Sequence, residues 1–494
     1  MKYEVVIIGS GLGGLVCAHI LSKAGKRVLV LEKNSQPGGC LQSYRRDGLT
    51  FDTGFHYVGG LGEGQSLHTV FRMLGLMRLP WQRLDESFDR IRIGEQEFSF
   101  MQGYDNFVKA LQARFPDEGE ALRQYAGLLQ RTEEEQLGLL DPDAALSSEA
   151  WFETGAWTYL TTHFHSPLLV NVLSATSLKM ELRKESLPLF TFLHGNSSFI
   201  ESSWKLRGAG SLIADSLIRD IRSQGGEVIC RATVEELVEK DRKLVGLRCT
   251  DGRFFEGDCF VSDVHPAVTC SWIKRSECLR SIYRRRIGAL ENTFGMLTVS
   301  LALKPRSVKY FNWNWYVYRN PDVWTFYQDN IPVKGVLVCA RPPEDGGDYL
   351  QQLDLLTPIT WEKMAPWIQT RVGHRDRDET YSAMKRQLAD ECVRLAERVI
   401  PGLRNEIVQT YVSTPLTYRD YTGTPEGSAY GLRKDYRNPM MTLLSPRTPL
   451  PNLFLTGQSL MLHGIQGVTM TSLFTCAEIL GKEYMWNQLK KSFL

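Results

Sequence analysis

The chain has 494 residues, enough for two or three domains around a large core. Its 58 Lys and Arg nearly balance its 56 Asp and Glu, which argues against a general nucleic-acid binder. No run of about 18 apolar residues occurs, so no membrane span is expected. The start passes straight into a first strand, so no cleavable signal peptide is expected either. The ten cysteines are scattered, with no CxxC pair and no His/Cys cluster at metal spacing. Free thiols in a cytoplasmic protein without bound metal are the expectation.

The first 32 residues carry the strongest pattern. Glu4-Val5-Val6-Ile7-Ile8 is a short apolar, β-branched run suited to a strand buried on both faces. Gly9-Ser10-Gly11-Leu12-Gly13-Gly14 follows with the spacing GxGxxG. Leu15 to Ala24 reads as a helix stopped by Gly25, and Val28-Leu29-Val30-Leu31 as a second buried strand running into Glu32. In such a unit Gly9 permits the tight turn and Gly11 lets backbone approach a pyrophosphate. Gly14 allows close helix–strand packing, and the helix N-terminus attracts phosphate. Glu32 stands where a carboxylate accepts hydrogen bonds from an adenosine ribose. The unit points to a bound dinucleotide in an α/β domain.

Lys33 to Cys40 is a loop by composition, and its paired glycines, Gly38 and Gly39, let backbone come close to a ligand. Phe51 to Gly60 mixes strand formers with glycines. Residues 61–200 carry no nucleotide signature. Helical patches recur at Asn106–Phe115 and Ala121–Leu129, and Arg131–Gln136 reads as a solvated face. Trp151, Phe152, Trp157, Tyr159, Phe164 and His165 form an aromatic zone, either helix core or the lining of an apolar substrate pocket.

Residues 206–270 return to the nucleotide domain. Leu212–Gln224 has helical periodicity and Glu227–Ile229 is a strand. Val234–Val238, Val245–Thr250 and Phe254–Glu256 suggest a meander turning at Asp251-Gly252, closed by Phe260-Val261-Ser262-Asp263. Arg280 and Arg284-Arg285-Arg286 form a basic cluster. It is a solvated helix face or, alternatively, a peripheral contact with anionic lipid head groups. Between Tyr310 and Tyr327, Phe311, Trp313, Trp315 and Val317 alternate as on one strand face. That face is either packed sheet or the wall of a polyene site. Tyr381, Met384, Leu388, Cys392, Leu395 and Val399 fit the inner stripe of a helix. Near the end, Asn452–Gln458 reads as a strand ending in glycine, His463–Val468 as a turn, and Thr469–Leu480 as a helix whose N-terminus faces the first motif.

Taken together, the segments at both ends resemble the flavoprotein superfamily of amine oxidases and phytoene desaturases. The resemblance implies an α/β fold: a Rossmann-like FAD-binding domain of the two-dinucleotide-binding type with a discontinuous α+β substrate domain. The FAD domain would comprise 1–75, 200–275 and 405–494, and the substrate domain 76–199 and 276–404. Along FAD it places Gly9, Gly11, Leu12, Gly13, Gly14, Glu32, Lys33, Gly38 and Gly39. It brings Gly54 and His56 toward the flavin ring and the Val234 backbone to the adenine. Gly457 and Gln458 fall at the ribityl–pyrophosphate region, and Gly467 and Val468 at the helix start on the flavin. Two positions depart from the pattern: Cys40 stands where many relatives carry Arg, with Arg45 and Arg46 nearby, and Gln458 stands where many carry Asp.

Phe51-Asp52-Thr53-Gly54-Phe55-His56-Tyr57-Val58-Gly59 and Thr414 to Gly431 are similar to the retinol saturase and carotenoid cis–trans isomerase branch. That branch implies an FAD-dependent oxidoreductase acting on carbon–carbon double bonds of a lipophilic polyene. Saturation, desaturation and isomerisation would share one pocket. An amine-oxidase-like enzyme and a non-enzymatic lipid-binding protein are the competing readings. His56 and Tyr430, within reach of the flavin's reactive face, are the candidate catalytic proton donors; Glu426, in a Pro-Glu-Gly turn, is a weaker one. With a single GxGxxG present, the electron donor is either NAD(P)H visiting the site or a separate reductase.

Overall fold

The structure, a computed structural model, describes residues 2–138, 140–141, 149–325, 333–344, 346–373 and 377–493; Phe326 and Tyr327 of the aromatic run lie outside them. Runs of apolar residues with no polar face build the first sheet. Lys2–Ile8 and Val28–Leu31 pair in parallel, and Val28–Leu31 is buried along its whole length. Glu227–Ile229 joins beyond Val28–Leu31, while Phe254–Ser262 and then Leu453–Leu455 extend the sheet on the other side, all parallel. The meander enters antiparallel: Val234–Lys240 pairs with Lys243–Cys249, which pairs with the start of Phe254–Ser262. Phe254–Ser262 is one strand, not two. Phe254–Glu256 and Phe260–Ser262, read as separate pieces, are joined because Tyr3 lies opposite Gly257 and the parallel ladder runs through it. Helix Leu12–Lys23 packs between Ser211–Ser223 and Gly464–Leu480 on this sheet.

The glycine turn sets the closest approach. Gly9 has φ +96°, open to glycine at little strain. A methyl group added at Gly14 would lie 2.2 Å from the Gly9 carbonyl oxygen.

A second, seven-stranded sheet runs in the order Ile407–Ser413, Gly295–Leu303, Gln352–Ile359, Gly335–Ala340, Asn314–Tyr318, Ser87–Ile93, Gln96–Met101. Ile407–Ser413, expected in the FAD domain, is an edge strand of this sheet, paired with Gly295–Leu303. Helix Glu379–Ala396 covers one face with Tyr381, Leu388, Cys392 and Leu395, the stripe expected from periodicity. In Asn314–Tyr318, Trp315 and Val317 face that helix's core, and Tyr316 and Tyr318 the opposite one. None of the described residues of the aromatic run lines either of the cavities below, so the packed-sheet reading holds. The aromatic zone at 151–165 is likewise helix core or surface: Phe164 is buried, Trp157 and Tyr159 pack against the core, and His165 is exposed.

Two expectations for polar stretches change. Arg131–Gln136 belongs to the helix Gly119–Gly138, and its Thr132, Glu133 and Gln136 are buried. Glu133 accepts from Ser66 Oγ at 2.8 Å, from Ser197 Oγ, and from Gln466 Nε2 at 2.8 Å. Gln466 Nε2 also reaches Gln136. Composition alone reads these residues as solvated; the partners of Glu133 and Gln136 sit more than sixty positions away in sequence. In the basic cluster, Arg280, Arg285 and Arg286 are exposed. Arg284 turns inward, donating to the carbonyls of Cys270 at 3.0 Å and Leu279 at 3.2 Å, and to that of Ile273. Among the described residues no helix is long and apolar enough to cross a membrane.

Two glycine substitutions separate packing from propensity. Gly14→Ala is expected to lower stability by about 1–3 kcal/mol through overpacking. Gly127→Ala, inside Gly119–Gly138 with no atom within 4 Å of the new methyl, is expected to raise it by about 0.5–1 kcal/mol. Urea unfolding of the two variants checks both signs.

Candidate functional site

The parallel strands end level. Ile8 lies opposite Leu31 on one side and Ser262 on the other, and Ser262 lies opposite Leu455. The next residues therefore emerge along one edge. Gly9 N donates to Leu31 O, Asp263 N to Ile8 O, Thr456 N to Ser262 O and Glu32 N to Ile229 O, each at 2.9 Å. In a doubly wound sheet, the crevice beyond the carboxyl ends of the strands is where ligands bind. A cleft of about 460 Å³ opens there, within the usual range for cofactor sites.

The cleft is lined by Gly9, Gly11, Leu12, Gly13, Glu32, Lys33, Gly38, Gly39, Gly54, His56, Val234, Gln458 and Val468, all sequence candidates, and by Tyr430. Gly14 and Gly457 do not line it. Gly14 lies against Gly9, and Gly457 backs onto Asp263. Glu32 is buried and held in place: its carboxylate accepts from Ser10 N at 3.2 Å, Ser10 Oγ, and Asn34 N at 2.8 Å. The helix Pro415–Thr422 closes that side of the cleft. Lys33 Nζ donates to Asp420 O at 3.2 Å and Asn34 Nδ2 to Tyr421 O at 2.9 Å, and residues 421–424 line the cleft.

The second helix end needs a correction. The helix spans Gly464–Leu480, with His463 as its N-cap, so the segment expected as a turn is already helical. Gly464 and Ile465, its first residues, line the cleft together with Val468. Gly467 instead packs on Leu462 and lines a smaller neighbouring chamber, not the cleft. Two closely spaced glycines read as a turn, yet Gly467 lies inside the helix and lets it pack closely on Leu462. Both helix starts, at Leu12 and at Gly464, thus meet the same space, and helix N-termini favour negative charge.

Asp263 is the cleft residue that pattern reading missed, although a charged residue just beyond a parallel strand beside a glycine turn is a usable signal. Methyl groups added at Gly11, Gly13 or Gly457 would each come within 2.5 Å of its carboxylate. Burial pushes the carboxyl up to about 7, against hydrogen bonds from the Gly14 and Gly11 amides, with Glu32 adding to the rise. Cys40 lines the same space, its thiol pushed up to about 11 by burial and by Asp263. Arg45 and Arg46 are exposed and do not replace the arginine expected beside the double glycine. The buried guanidinium near this region is Arg341, paired with Asp52 and bonded to Thr50 O.

These residues fit a dinucleotide flavin. A side chain on the glycine cradle would fill it, Glu32 presents a buried carboxylate at the ribose position, and two helix ends offer amides to phosphate and to a flavin ring. FAD would be held by Gly9–Gly13, Glu32, Gly38, Gly39, Val234, Gln458 and the Gly464 helix end.

A chamber of about 140 Å³ adjoins the cleft and shares Gly54, His56, Tyr430, Gly464 and Ile465 with it. The candidate proton donors therefore stand at the junction. Burial, then Arg341 and Lys205, hold His56 down to about 4, so it is a neutral imidazole at pH 7. Burial raises the Tyr430 hydroxyl, and its ring tilts against His463 at 4.6 Å between centroids. Neither group is a ready acid. Glu426 lies outside both cavities and accepts from Asn292 Nδ2 at 3.2 Å. Deeper in, Tyr57 OH bonds to Asp89 Oδ2 at 2.8 Å and to Tyr316 OH at 2.6 Å, and accepts from Lys179 Nζ at 2.9 Å. Asn314 Nδ2 donates to Asp89 at 2.9 Å.

Asp263 sets a pH dependence on cofactor loading. A carboxylate in the glycine cradle opposes a pyrophosphate, and the protonated form does not. FAD affinity of the apoprotein is expected to rise as pH falls through about 7. Glu32 and Cys40 are the other titratable groups facing Asp263, and the Cys40 thiol stays neutral over this range. Asp263→Asn should bind FAD about 10-fold tighter at pH 8 and lose the dependence. Fluorescence titration across pH 6–9 reads both.

Comparison with known proteins agrees with this geometry. Residues 12–480 match the family model described as flavin containing amine oxidoreductase. The chain is similar to the all-trans-retinol 13,14-reductase of Homo sapiens, 26% identical over 545 residues, covering 99% of this chain and 87% of that protein. It is also similar to the chloroplastic prolycopene isomerase of Arabidopsis thaliana, 23% identical, covering 92% and 79%. Its fold matches the crystal structure of an oxidoreductase from Methanosarcina mazei with TM-score 0.63 at 16% identity, over 96% of this chain and 99% of that one. A flavin cradle built from both ends of the chain and a family match over nearly all of it lead to one conclusion: the protein belongs to the flavin-containing amine oxidoreductase family.

Proposed function

We propose that the protein is an FAD-dependent oxidoreductase that acts on carbon–carbon double bonds of a lipophilic polyene, in the reductive direction. The observation that carries this reading is the chamber beside the cleft, walled by Phe55, Val58, Met180, Phe199, Leu337 and Leu462 and joined to the cleft at His56 and Tyr430. Such a wall accepts an apolar chain and places it against the end of the helix Gly464–Leu480. The full-length similarity to retinol 13,14-reductases supports reduction. Isomerisation is the second reading, supported by the similarity to prolycopene isomerases.

Bound FAD, once reduced, supplies hydride chemistry at flavin N5. The chain's residues do the rest. The unpaired amides of a helix first turn, here that of Gly464–Leu480, favour negative charge in the cleft. Apolar side chains form one part of the chamber wall. His56, neutral, and Tyr430, packed on His463, shape the junction and orient the substrate. Reducing equivalents come from a nicotinamide cofactor or a separate reductase.

Anaerobic reduction of the flavoprotein followed by addition of retinoids or carotenoids tests the reading. Flavin reoxidation with a polyene that has lost one double bond is the expected result. A product of changed geometry with no net flavin reoxidation would favour isomerisation, and no reaction with any polyene would overturn both. In the same assay Tyr430→Phe should slow reoxidation by less than about 10-fold, whereas loss of a general acid costs about 10²–10⁴-fold.

A further inference from the structure

The small chamber holds more unmet hydrogen-bonding capacity than an apolar pocket needs. Thr191 Oγ1, His194 Nδ1 and Ser198 Oγ are buried without a hydrogen-bond partner among the described residues, and all three residues line the chamber. Native interiors leave few such groups, and each asks for an explanation. Thr191 and His194 are three residues apart on the helix Leu189–His194 and share a face; Ser198 follows on Ser197–Glu201.

Lys179 lines the same chamber. Its ammonium donates to Tyr57 OH at 2.9 Å and lies 3.7 Å from the Phe199 ring centroid. Asp89, the carboxylate that answers it electrostatically, stands behind Tyr57 and is already bonded to Tyr57 and Asn314. The ammonium thus touches a neutral hydroxyl and the faces of aromatic rings, Phe199 nearest. A buried cation is best satisfied by an anion in direct contact, and charge-assisted hydrogen bonds are the strong ones. A hydrocarbon would leave the Thr191, His194 and Ser198 atoms without a partner and the ammonium without a touching anion. An alcohol brings one oxygen and no charge. A carboxylate brings two acceptor oxygens and the missing charge.

We infer that Lys179, Thr191, His194 and Ser198 form a head-group site for a carboxylate, so that the substrate is an unsaturated lipid acid whose chain runs from the chamber into the cleft. This rests on the polyene reading above. The other charged groups around Lys179 are Asp89 and, near Asp89, Lys205; Tyr57 and Tyr316 complete the surroundings.

The test uses FAD-loaded protein and four ligands: a retinoid acid, the matching alcohol, the matching hydrocarbon, and a saturated fatty acid. Binding is read from perturbation of the flavin absorption spectrum, and turnover from reoxidation of the reduced protein. The acid should bind about 10-fold or more tighter than the alcohol. In Lys179→Met that difference should collapse, and in Ser198→Ala it should shrink. The wild-type comparison decides the matter even where a variant fails to fold. Equal affinity for acid and alcohol, with polyenes still turned over, overturns the head-group site and leaves the polyene reading standing. Lys179-dependent binding of both acids without turnover of any polyene supports the site and overturns that reading. Absence of binding by any lipid overturns both.

Discussion

One alignment positions everything in the cleft: the level ending of four parallel strands. Because Ile8, Leu31, Ser262 and Leu455 share a register line, the residues that follow them emerge together, at the same height, from segments as far apart as Gly9 and Thr456. A slip of one residue in any strand would point its apolar side chains to the wrong face and lift its functional neighbour out of line. The sheet is buried on both faces, so the hydrophobic effect that stabilises it also enforces that register. Chemistry at the edge is thereby coupled to packing in the middle.

Charge in the cleft follows a second rule. Carboxylates at Glu32 and Asp263 face a space that two helix ends make favourable to anions. Glu32 is tied down by three donors and can turn little. Asp263 is held by the backbone amides of Gly11 and Gly14, the same kind that a phosphate uses, so its ionisation competes with the ligand. Farther in, Lys179, Lys205 and Arg341 are matched by Asp89, Asp52 and Asp354, each carboxyl raised by burial. The Tyr57 hydroxyl stands between Lys179 and Asp89, whereas Arg341 and Asp52 are in direct ion-pair contact.

The parts legible in the sequence were those governed by local pattern. The strand Val28–Leu31 has the expected bounds because four apolar residues between Arg27 and Glu32 admit little else. The glycine turn and Glu32 fall where spacing places them. What was not legible depended on partners remote in the chain. Arg131–Gln136 looks solvated because Ser66, Ser197 and Gln466 are invisible from it. The helix at Gly464 starts three residues earlier than Gly467 because burial against Leu462 outweighs the low helix propensity of glycine. Lys179 carries no local signature at all; only the fold sets it between Tyr57 and Phe199. The aromatic density around Tyr316 has the composition of a ligand wall and the location of a sheet core, since packing uses the same residues as binding does.

The order in which the first sheet is laid down has a consequence for biosynthesis. Lys2–Ile8 is synthesised long before Leu453–Leu455, which joins the same sheet. Between them the chain must thread out twice to build the other sheet. Contacts of such sequence separation are slow to close, so for a long stretch of synthesis the nascent glycine turn has neither its far strand nor its second helix end. Until those segments arrive the sheet is an open edge, exposed to chaperones and to self-association, and the nucleotide cradle is assembled late.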